Sequence, residues 1–351
     1  MLGNTLEEWQ GCVEKLGLPK FRGVQIWDWV YTKGVTNFSD MTNLGVAHRQ
    51  SLQERISIET LKLLTTSTSS SGDTTKFLFE LSDGKLIEAV LIEAPHRYTV
   101  CVSSQVGCPV RCAFCASGKE GLIRNLSASE IVEQVYHIDR MLKAQEKRVS
   151  HVVYMGMGEP LENYEAVLHS IKILNDAKGL NISQRRMTVS TAGVLPGIER
   201  FTNEGLQVHL VLSLHASNQK LRQRLIPYAR RYTLFDLLSA MRKFQAITRR
   251  EVTYEYTLIE GVNDSPEQAK ELALLLKGDL CTVNLIPYNP VEGIRWHRPE
   301  KEAIIAFRAV LEKEGINVTW RYTKGTEIDA ACGQLAMRKK DPTMGLVGLN
   351  L

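Results

Sequence analysis

The chain has 351 residues, of which 44% are hydrophobic and 23% are charged, with 43 basic and 39 acidic side chains. These proportions are typical of a globular protein with a sizeable core, and they exclude a disordered chain, a collagen-like repeat and a small disulfide-stapled protein. The net charge of +4 is mildly basic and does not by itself indicate a partner. No run of uncharged apolar residues is long enough for a membrane-spanning helix, and the N-terminal stretch MLGNTLEEWQG carries acids where a signal peptide is basic. We therefore expect a cytoplasmic protein.

The first quarter of the chain contains three segments with different sequence patterns. Residues 1–60 have apolar side chains at helical spacing, which predicts short helices. Thr65–Thr75 is rich in Ser and Thr and is predicted to be a turn or linker. The following stretch Lys76–Glu93 is typical of two strands joined by a turn at Ser82-Asp83-Gly84.

From about residue 98 onward, apolar strands alternate with helices. The strand candidates are Thr99–Val102, His151–Met155, Met187–Ser190, Val208–Leu214, Val252–Leu258, Thr282–Ile286 and Ile316–Tyr322. Helices are predicted after the capping box of Ser127 and Glu130, over Ala166–Ala177, after Ser265-Pro266 and over Glu300–Glu314. The alternation predicts an α/β fold with a parallel sheet, either doubly wound or a partial barrel. The uncharged tail after Asp341 is predicted to be loosely ordered.

Four of the seven cysteines lie within fifteen residues, and in a cytosolic chain clustered thiols are usually catalytic or metal-binding. Cys108, Cys112 and Cys115 form a C-x3-C-x2-C run in the loop after the first parallel strand. A zinc site would need a fourth ligand, for which Cys101 is a candidate. Three thiolates without a fourth suit a four-iron cubane that leaves one iron open.

The second parallel strand runs directly into the loop Gly156-Met157-Gly158-Glu159. Ligands of parallel sheets bind at this carboxyl edge of the strands. Glycines there allow the backbone to approach a ligand closely, and Glu159 could hold an ammonium group. The loop therefore indicates a binding site next to the cysteines.

A cysteine loop after the first strand and a glycine-glutamate loop after the second together resemble the radical S-adenosylmethionine (SAM) superfamily. The resemblance narrows to the RlmN/Cfr family of RNA adenine methyltransferases through six ordered motifs: Cys101–Cys108, Met155–Leu161, Ser190–Gly193, Ser213–His215, Asn284–Pro290 and Ile328–Leu335. It implies an α/β fold in which a radical SAM partial (β/α)6 TIM-like barrel lies behind a helical N-terminal domain. The implied domains are an RNA-contacting accessory domain at 1–60, a small β segment at 61–93, the barrel at 94–326 and a C-terminal segment at 327–351.

The resemblance also implies a role for each matching residue. The [4Fe–4S] cluster would be held by Cys108, Cys112 and Cys115. SAM contacts would be made by Gly158, Glu159, Ser190, Ser213, Leu214, His215 and Asn289. The catalytic residues would be Cys332 as methyl carrier, Cys101 as second cysteine and Glu88 as proton acceptor.

Simpler interpretations stand beside some of these roles. Glu88 also fits the solvated face of a strand, and His215 also fits a satisfied strand end. Cys332 could be a small buried residue, which is the interpretation we adopt for Cys12 and Cys281.

In this family two SAM molecules are used per turnover, because the electron-poor adenine carbon does not attack a sulfonium directly. One SAM methylates Cys332 and the other supplies a radical, after which Cys101 releases the product by forming a disulfide bond with Cys332. The implied substrates are C2 of adenosine 2503 in 23S rRNA and C2 of adenosine 37 in some tRNAs. Pro160 and Val106 favour this branch over C8 methylation of the same rRNA base. The implied protein is a monomer reduced by a donor such as flavodoxin or ferredoxin.

A rival from another class is a non-enzymatic RNA-binding module that holds zinc or a cluster. It leaves Gly158, Glu159 and Cys332 unexplained. For RNA, the stretch Gln219–Arg250 is the best candidate surface, since it has nine basic residues and one acid, Asp236. A solvated pair of helices is the alternative. Within this stretch, Ile226–Arg231 departs from the family pattern, which leaves its role open.

Overall fold

The computed structural model describes residues 2–320 and 324–336. The N-terminal part consists of the helices α1 (Leu6–Lys15), α2 (Phe21–Trp27) and α3 (Val46–Arg55), and a π-helical turn follows α2. Helix α1 begins at Thr5, where the Thr5 hydroxyl accepts from the Glu8 amide and the Glu8 carboxylate accepts from the Thr5 amide. The predicted short helices are confirmed.

These helices are tied to the rest of the chain by buried polar contacts. The Trp27 indole donates to the carbonyl of Lys178 at 3.0 Å. Glu133 is fully buried, and its Oε2 accepts from the amides of Thr60 at 2.7 Å and Leu61 at 2.6 Å. The connection between the helical part and the first strand is therefore held against the helix that carries Glu133.

Four antiparallel strands follow: β1 (Lys62–Thr68), β2 (Thr74–Glu80), β3 (Leu86–Ala94) and β4 (Arg97–Cys101). The hairpin predicted around Ser82-Asp83-Gly84 is confirmed as β2–β3. The linker predicted at Thr65–Thr75 is wrong at both ends, since only residues 69–73 lie outside the strands. Threonine is β-branched and fits a pleated strand, so a Thr-rich stretch does not by itself indicate a loop.

The main sheet continues with parallel strands. A separate antiparallel pair, β5 (Gln105–Gly107) and β6 (Leu122–Asn125), precedes β7 (His151–Tyr154), β8 (Met187–Thr191), β9 (His209–Ser213), β10 (Val252–Leu258), β11 (Cys281–Pro287) and β12 (Asn317–Trp320). Strand β4 pairs with β7, and β7 to β12 then follow in chain order. A doubly wound sheet reverses its order at a switch point, whereas this order is that of a partial barrel.

All seven predicted parallel strands are present, although the last two residues predicted for β12 lie outside the described residues. Helices connect them in the order α4 (Ala128–Lys143), α5 (Tyr164–Asn175), α6 (Leu195–Thr202), α7 (Gln219–Leu225), α8 (Leu234–Thr248), α9 (Pro266–Leu275) and α10 (Lys301–Lys313). The predicted capping box of Ser127 and Glu130 is confirmed. No helix within residues 2–320 and 324–336 has the length and apolarity to cross a bilayer. The tail after Asp341 lies outside the described residues.

Candidate active site

The three clustered cysteines lie between β5 and β6, which form a small hairpin at the carboxyl end of β4. The loop is anchored by backbone hydrogen bonds, from the Cys108 amide to the Gly121 carbonyl at 3.0 Å and from the Ala113 amide to the Leu225 carbonyl at 2.9 Å. The second bond joins the loop to the C-terminal end of α7. Cys108, Cys112 and Cys115 all line one cavity of about 140 Å³, which we call the cysteine cavity.

Burial raises the pKa of the Cys108 thiol to about 12, with the neighbouring Cys115 adding to the effect. Burial also raises the pKa of Cys112 and of Cys115, and like charges on the other cysteines raise that of Cys112 further. Such thiols are protonated at neutral pH unless a cation replaces the proton. Thiols of this kind can become thiolate ligands when a metal binds, which fits their predicted role in holding a cluster.

Within residues 2–320 and 324–336, no three His, Cys, Asp or Glu side chains converge on one ion-sized site. An iron–sulfur cubane does not require such convergence, because each cysteine binds a different iron. Tyr288 also lines the cysteine cavity, and its hydroxyl is buried. Three thiols around one cavity fit a cluster bound next to a second ligand.

The loop after β7 brings Gly158 and Glu159 to the same cavity. Gly158 has φ +102°, and a Cβ there would lie 2.6 Å from the Gln105 side chain, so only glycine fits. The two carboxylate oxygens of Glu159 accept from the amides of Leu161 at 3.1 Å and Ala192 at 2.7 Å. Burial raises the Glu159 pKa to about 7. The carboxylate is thus fixed in place before any ammonium group arrives.

The serines predicted to contact SAM meet at the ends of β8 and β9. The hydroxyls of Ser190 and Ser213 lie 3.2 Å apart, and both donate to Oε2 of Glu255, at 3.2 Å and 3.4 Å. Glu255 lies in β10 and was missed by sequence reasoning. An acid in the middle of the apolar strand VTYEYTL was the signal that could have identified it.

His215 and Leu214 follow β9. His215 has φ +57°, its Nδ1 accepts from the Thr257 amide at 2.9 Å, and its ring lines the cysteine cavity. Burial and, to a smaller extent, the charge of Arg222 lower its pKa to about 3, so the ring is neutral. Leu214 is fully buried, and its amide donates to the Glu255 carbonyl at 3.0 Å. Among the predicted SAM contacts, Leu214 alone is not part of the cavity lining.

Cys332 is exposed and lies where two cavities adjoin. It lines the cysteine cavity, and with Cys101 it also lines a larger one of about 330 Å³, which we call the Cys101 cavity. Cys101 is 9% exposed and ends β4. No disulfide bond joins any of the seven cysteines, so the predicted pairing of Cys101 with Cys332 is absent from this state.

The segment 329–336 that carries Cys332 is held in place by the loops around it. The Asn289 side-chain amide donates to the Cys332 carbonyl at 3.1 Å, and the Ala116 amide donates to the Gly333 carbonyl at 2.8 Å. The Ser117 hydroxyl donates to the Leu335 carbonyl at 2.7 Å. The cysteine loop therefore directly positions the backbone that follows the methyl-carrier candidate, and Asn289 holds the candidate's own carbonyl.

Glu88 lies at the end of this segment and does not line either of the two cavities that Cys332 lines. Its carboxylate is buried, forms an ion pair with Lys76 at 3.0 Å and accepts from the Ala336 amide at 2.8 Å. Burial raises its pKa, while Lys76 opposes the shift. The alternative of a solvated strand face is wrong, because Glu88 is 4% exposed. Its role as proton acceptor stays a prediction, and the contacts make it an anchor of the Cys332 segment.

The basic stretch Gln219–Arg250 does not form one surface. Arg230 and Arg231 are exposed just before α8, where neighbouring Tyr228 donates to Glu162 in the loop after β7. Arg250 follows α8 and contacts His209, the first residue of β9. Helix α8 has 15 residues, which is about 22 Å, so the two arginine pairs lie at opposite edges of the sheet.

Two family models and several relatives of known family match this chain. Residues 1–58 match the ribosomal RNA large subunit methyltransferase N-terminal domain, and residues 102–273 match the radical SAM superfamily. The chain is 52% identical over 341 residues to a probable dual-specificity RNA methyltransferase RlmN 2 of Protochlamydia amoebophila, covering 97% of this chain and 94% of the relative. It is 46% identical to the probable dual-specificity RNA methyltransferase RlmN of Thermotoga maritima, and the match covers 97% of this chain and 98% of the relative.

A crystal structure of a radical SAM methyltransferase from Sphaerobacter thermophilus superimposes with a TM-score of 0.94. That protein is 44% identical, and the match covers 96% of this chain and 99% of the other. The similarity therefore extends over the fold and nearly the whole length, including the helical N-terminal part.

Proposed function

The chain belongs to the RlmN family of radical SAM RNA methyltransferases, and on that premise we propose that it methylates C2 of adenosine 2503 in 23S rRNA and of adenosine 37 in some tRNAs. Membership in this family contradicts the alternative that the chain is a non-enzymatic RNA-binding module. We further propose that it uses two SAM molecules per turnover, that it works as a cytoplasmic monomer and that a donor such as flavodoxin or ferredoxin reduces it.

The proposal is supported most directly by the position of Cys332 between the two cavities. The cysteine cavity holds the residues matched to the cluster and to SAM, and the Cys101 cavity has more than twice its volume and contains the second cysteine. A thiol placed between them can receive a group on one side and present it to a base on the other. Both cysteines line the larger cavity, which supports a later disulfide bond between them.

The site residues of the chain would have three separate roles. Cys108, Cys112 and Cys115 would hold the cluster, and when bound the cluster and SAM would supply a carbon radical by one-electron cleavage of the sulfonium. Cys332 as a thiolate would be a competent nucleophile for taking a methyl group by displacement. Glu159, Ser190 and Ser213 orient the cofactor, since their positions are already fixed by mutual and backbone hydrogen bonds.

The regiochemistry is tested with two rRNA fragments that contain the target adenosine, one deuterated at C2 and one at C8. We expect the purified, reconstituted protein to remove deuterium from C2 alone and to yield 2-methyladenosine by mass spectrometry. Loss of deuterium from C8, with 8-methyladenosine as product, would assign the chain to the other branch of the family. A tRNA anticodon stem-loop with adenosine 37 serves as the second substrate.

The separation of the basic residues leads to a prediction about RNA binding. Arg230→Glu with Arg231→Glu, at the carboxyl edge of the sheet, should weaken RNA binding and lower the slope of log K against log salt by about 1.5, because two phosphate contacts are lost. The matched control is Lys243→Glu with Arg249→Glu, which makes the same charge change on exposed residues toward the opposite edge. Filter binding at several salt concentrations measures both.

Equal loss of affinity in the two double variants would show that only the net charge matters. An unchanged slope in the Arg230 and Arg231 variant would show that this segment is a solvated face. In either case SAM binding should survive, because neither pair lines the cysteine cavity.

A further inference from the structure

The buried side chain of Arg222, near the cysteine loop, has none of the roles described above. Arg222 lies in α7 and is 0% exposed. Its Nη2 donates to the carbonyls of Ala192 at 2.7 Å and Ser213 at 3.1 Å, whereas Nε and Nη1 lack a hydrogen-bond partner among the described residues. An unpaired buried charge is costly, so a guanidinium in this position indicates a missing anionic neighbour.

The surroundings of Arg222 indicate where that neighbour would be. The negative groups that act on the guanidinium are the Cys112 thiolate and the Glu159 carboxylate. Glu159 already accepts two backbone amides, and Cys112 is one of the residues matched to the cluster. Arg222 does not itself line the cysteine cavity, whereas Cys112, whose charge acts on it most, does.

The local structure couples Arg222 to the cysteine loop. Helix α7 also supplies the Leu225 carbonyl that accepts from the Ala113 amide, one residue after Cys112. The carbonyls that hold the guanidinium belong to the loops that follow β8 and end β9, where the SAM-contact serines also lie. The charge is therefore fixed relative to Cys112 by the same elements that build the site.

We propose that Arg222 tunes the cluster electrostatically. Its guanidinium places a fixed positive charge next to Cys112 and raises the reduction potential of the cluster bound there. This inference rests on the cluster that the proposed function requires. On reduction the core takes one electron from a low-potential donor and goes from 2+ to 1+, so that with three thiolates its net charge falls from about −1 to about −2 while no bond breaks and no proton moves. A nearby cation stabilises the more negative state.

The expected size follows from Coulomb's law. At an effective dielectric constant of about 20, a unit charge changes a one-electron equilibrium about tenfold from a separation of about 12 Å. Arg222→Gln should therefore make reduction at least about tenfold less favourable, which is a shift of about 59 mV to more negative potential. Arg222→Lys keeps the charge and should keep most of the potential.

The test is an EPR-monitored redox titration of the reconstituted full-length proteins with dithionite and mediators, with iron and sulfide measured in each. Arg222→Gln with full iron content and the wild-type potential would overturn the proposal, as would equal shifts in Arg222→Gln and Arg222→Lys. Failure of the wild-type chain to bind about four irons would instead contradict the cluster assignment and hence the proposed function.

A second pair of variants keeps Arg222 in place in case its replacement prevents folding. A Cβ at Gly193 would lie 2.7 Å from Leu237 and 3.3 Å from Nη2 of Arg222, so the Leu237 side chain ends close to the guanidinium. Leu237→Glu supplies a counter-charge there and should lower the potential, whereas the isosteric control Leu237→Gln should not. Identical potentials in this pair would also overturn the proposal.

Discussion

Cys332→Ala is expected to abolish both methylation of the protein and methylation of RNA. In the proposed mechanism the Cys332 thiolate, at the junction of the two cavities, takes the methyl group first, so its loss should stop the reaction at the first transfer. Incubation with methyl-labelled SAM, followed by separate counting of protein and RNA, measures both products. Methyl transfer to RNA should fall to the level of a control without enzyme.

Cys12→Ala is the matched control, because Cys12 is a half-buried cysteine of α1 outside both cavities. It should retain wild-type labelling of protein and RNA. Normal RNA methylation by Cys332→Ala would show that the methyl-carrier mechanism does not apply to this chain.

Cys101→Ala should have a different effect, because the proposed mechanism uses Cys101 only after the carbon–carbon bond to adenine has formed. This variant should still charge Cys332 and add its methylene to the base, and it should then stall because no thiol in the Cys101 cavity can resolve the adduct. We expect about one RNA covalently attached per active chain in a single turnover. Denaturing gel electrophoresis and mass spectrometry of the nuclease-trimmed Cys332 peptide would detect the adduct.

Repeated turnover by Cys101→Ala without a trapped species would contradict the resolving role. The double variant Cys101→Ala with Cys332→Ala should form no adduct, which confirms the attachment site. In the proposed mechanism the disulfide bond between Cys101 and Cys332 is a product of turnover.

Cys112→Ala is expected to reduce the iron content of reconstituted protein from about four per chain to nearly none. Burial raises the pKa of the Cys112 thiol, and the neighbouring Cys115 and Cys108 raise it further. With two cysteines left, the cubane loses a third of its protein ligands, and the remaining thiols revert to their neutral form. Iron and acid-labile sulfide assays under anaerobic conditions measure the loss.

Cys101→Ala is the control in this experiment as well, because Cys101 lies outside the described lining of the cysteine cavity. It should keep the full complement of iron. Loss of iron in Cys101→Ala would make Cys101 a fourth ligand and would contradict an open iron site.

Much of this architecture was predictable because the signals are local. The capping box of Ser127 and Glu130, the β2–β3 hairpin and the alternation of strands with helices each depend on residues within one element or its neighbour. The spacing of Cys108, Cys112 and Cys115 likewise indicates a cluster without any tertiary information, since one short loop carries all three. Where local chemistry is ambiguous, as in the Thr-rich stretch that became β1, the sheet that forms around it decided the outcome.

The tertiary structure alone decided which distant residues meet. Cys332 reaches the cysteine loop through hydrogen bonds between residues more than two hundred positions apart, and Glu88 holds the far end of the same segment. The basic residues of Gln219–Arg250 do not share one surface. Helix α8 separates Arg231 from Arg249, which lie toward opposite edges of the sheet. Arg222 counts as one more surface cation in the sequence, yet the fold buries it next to Cys112. Composition and spacing record which charges a chain has, but their burial and their partners depend on contacts that only the folded chain creates.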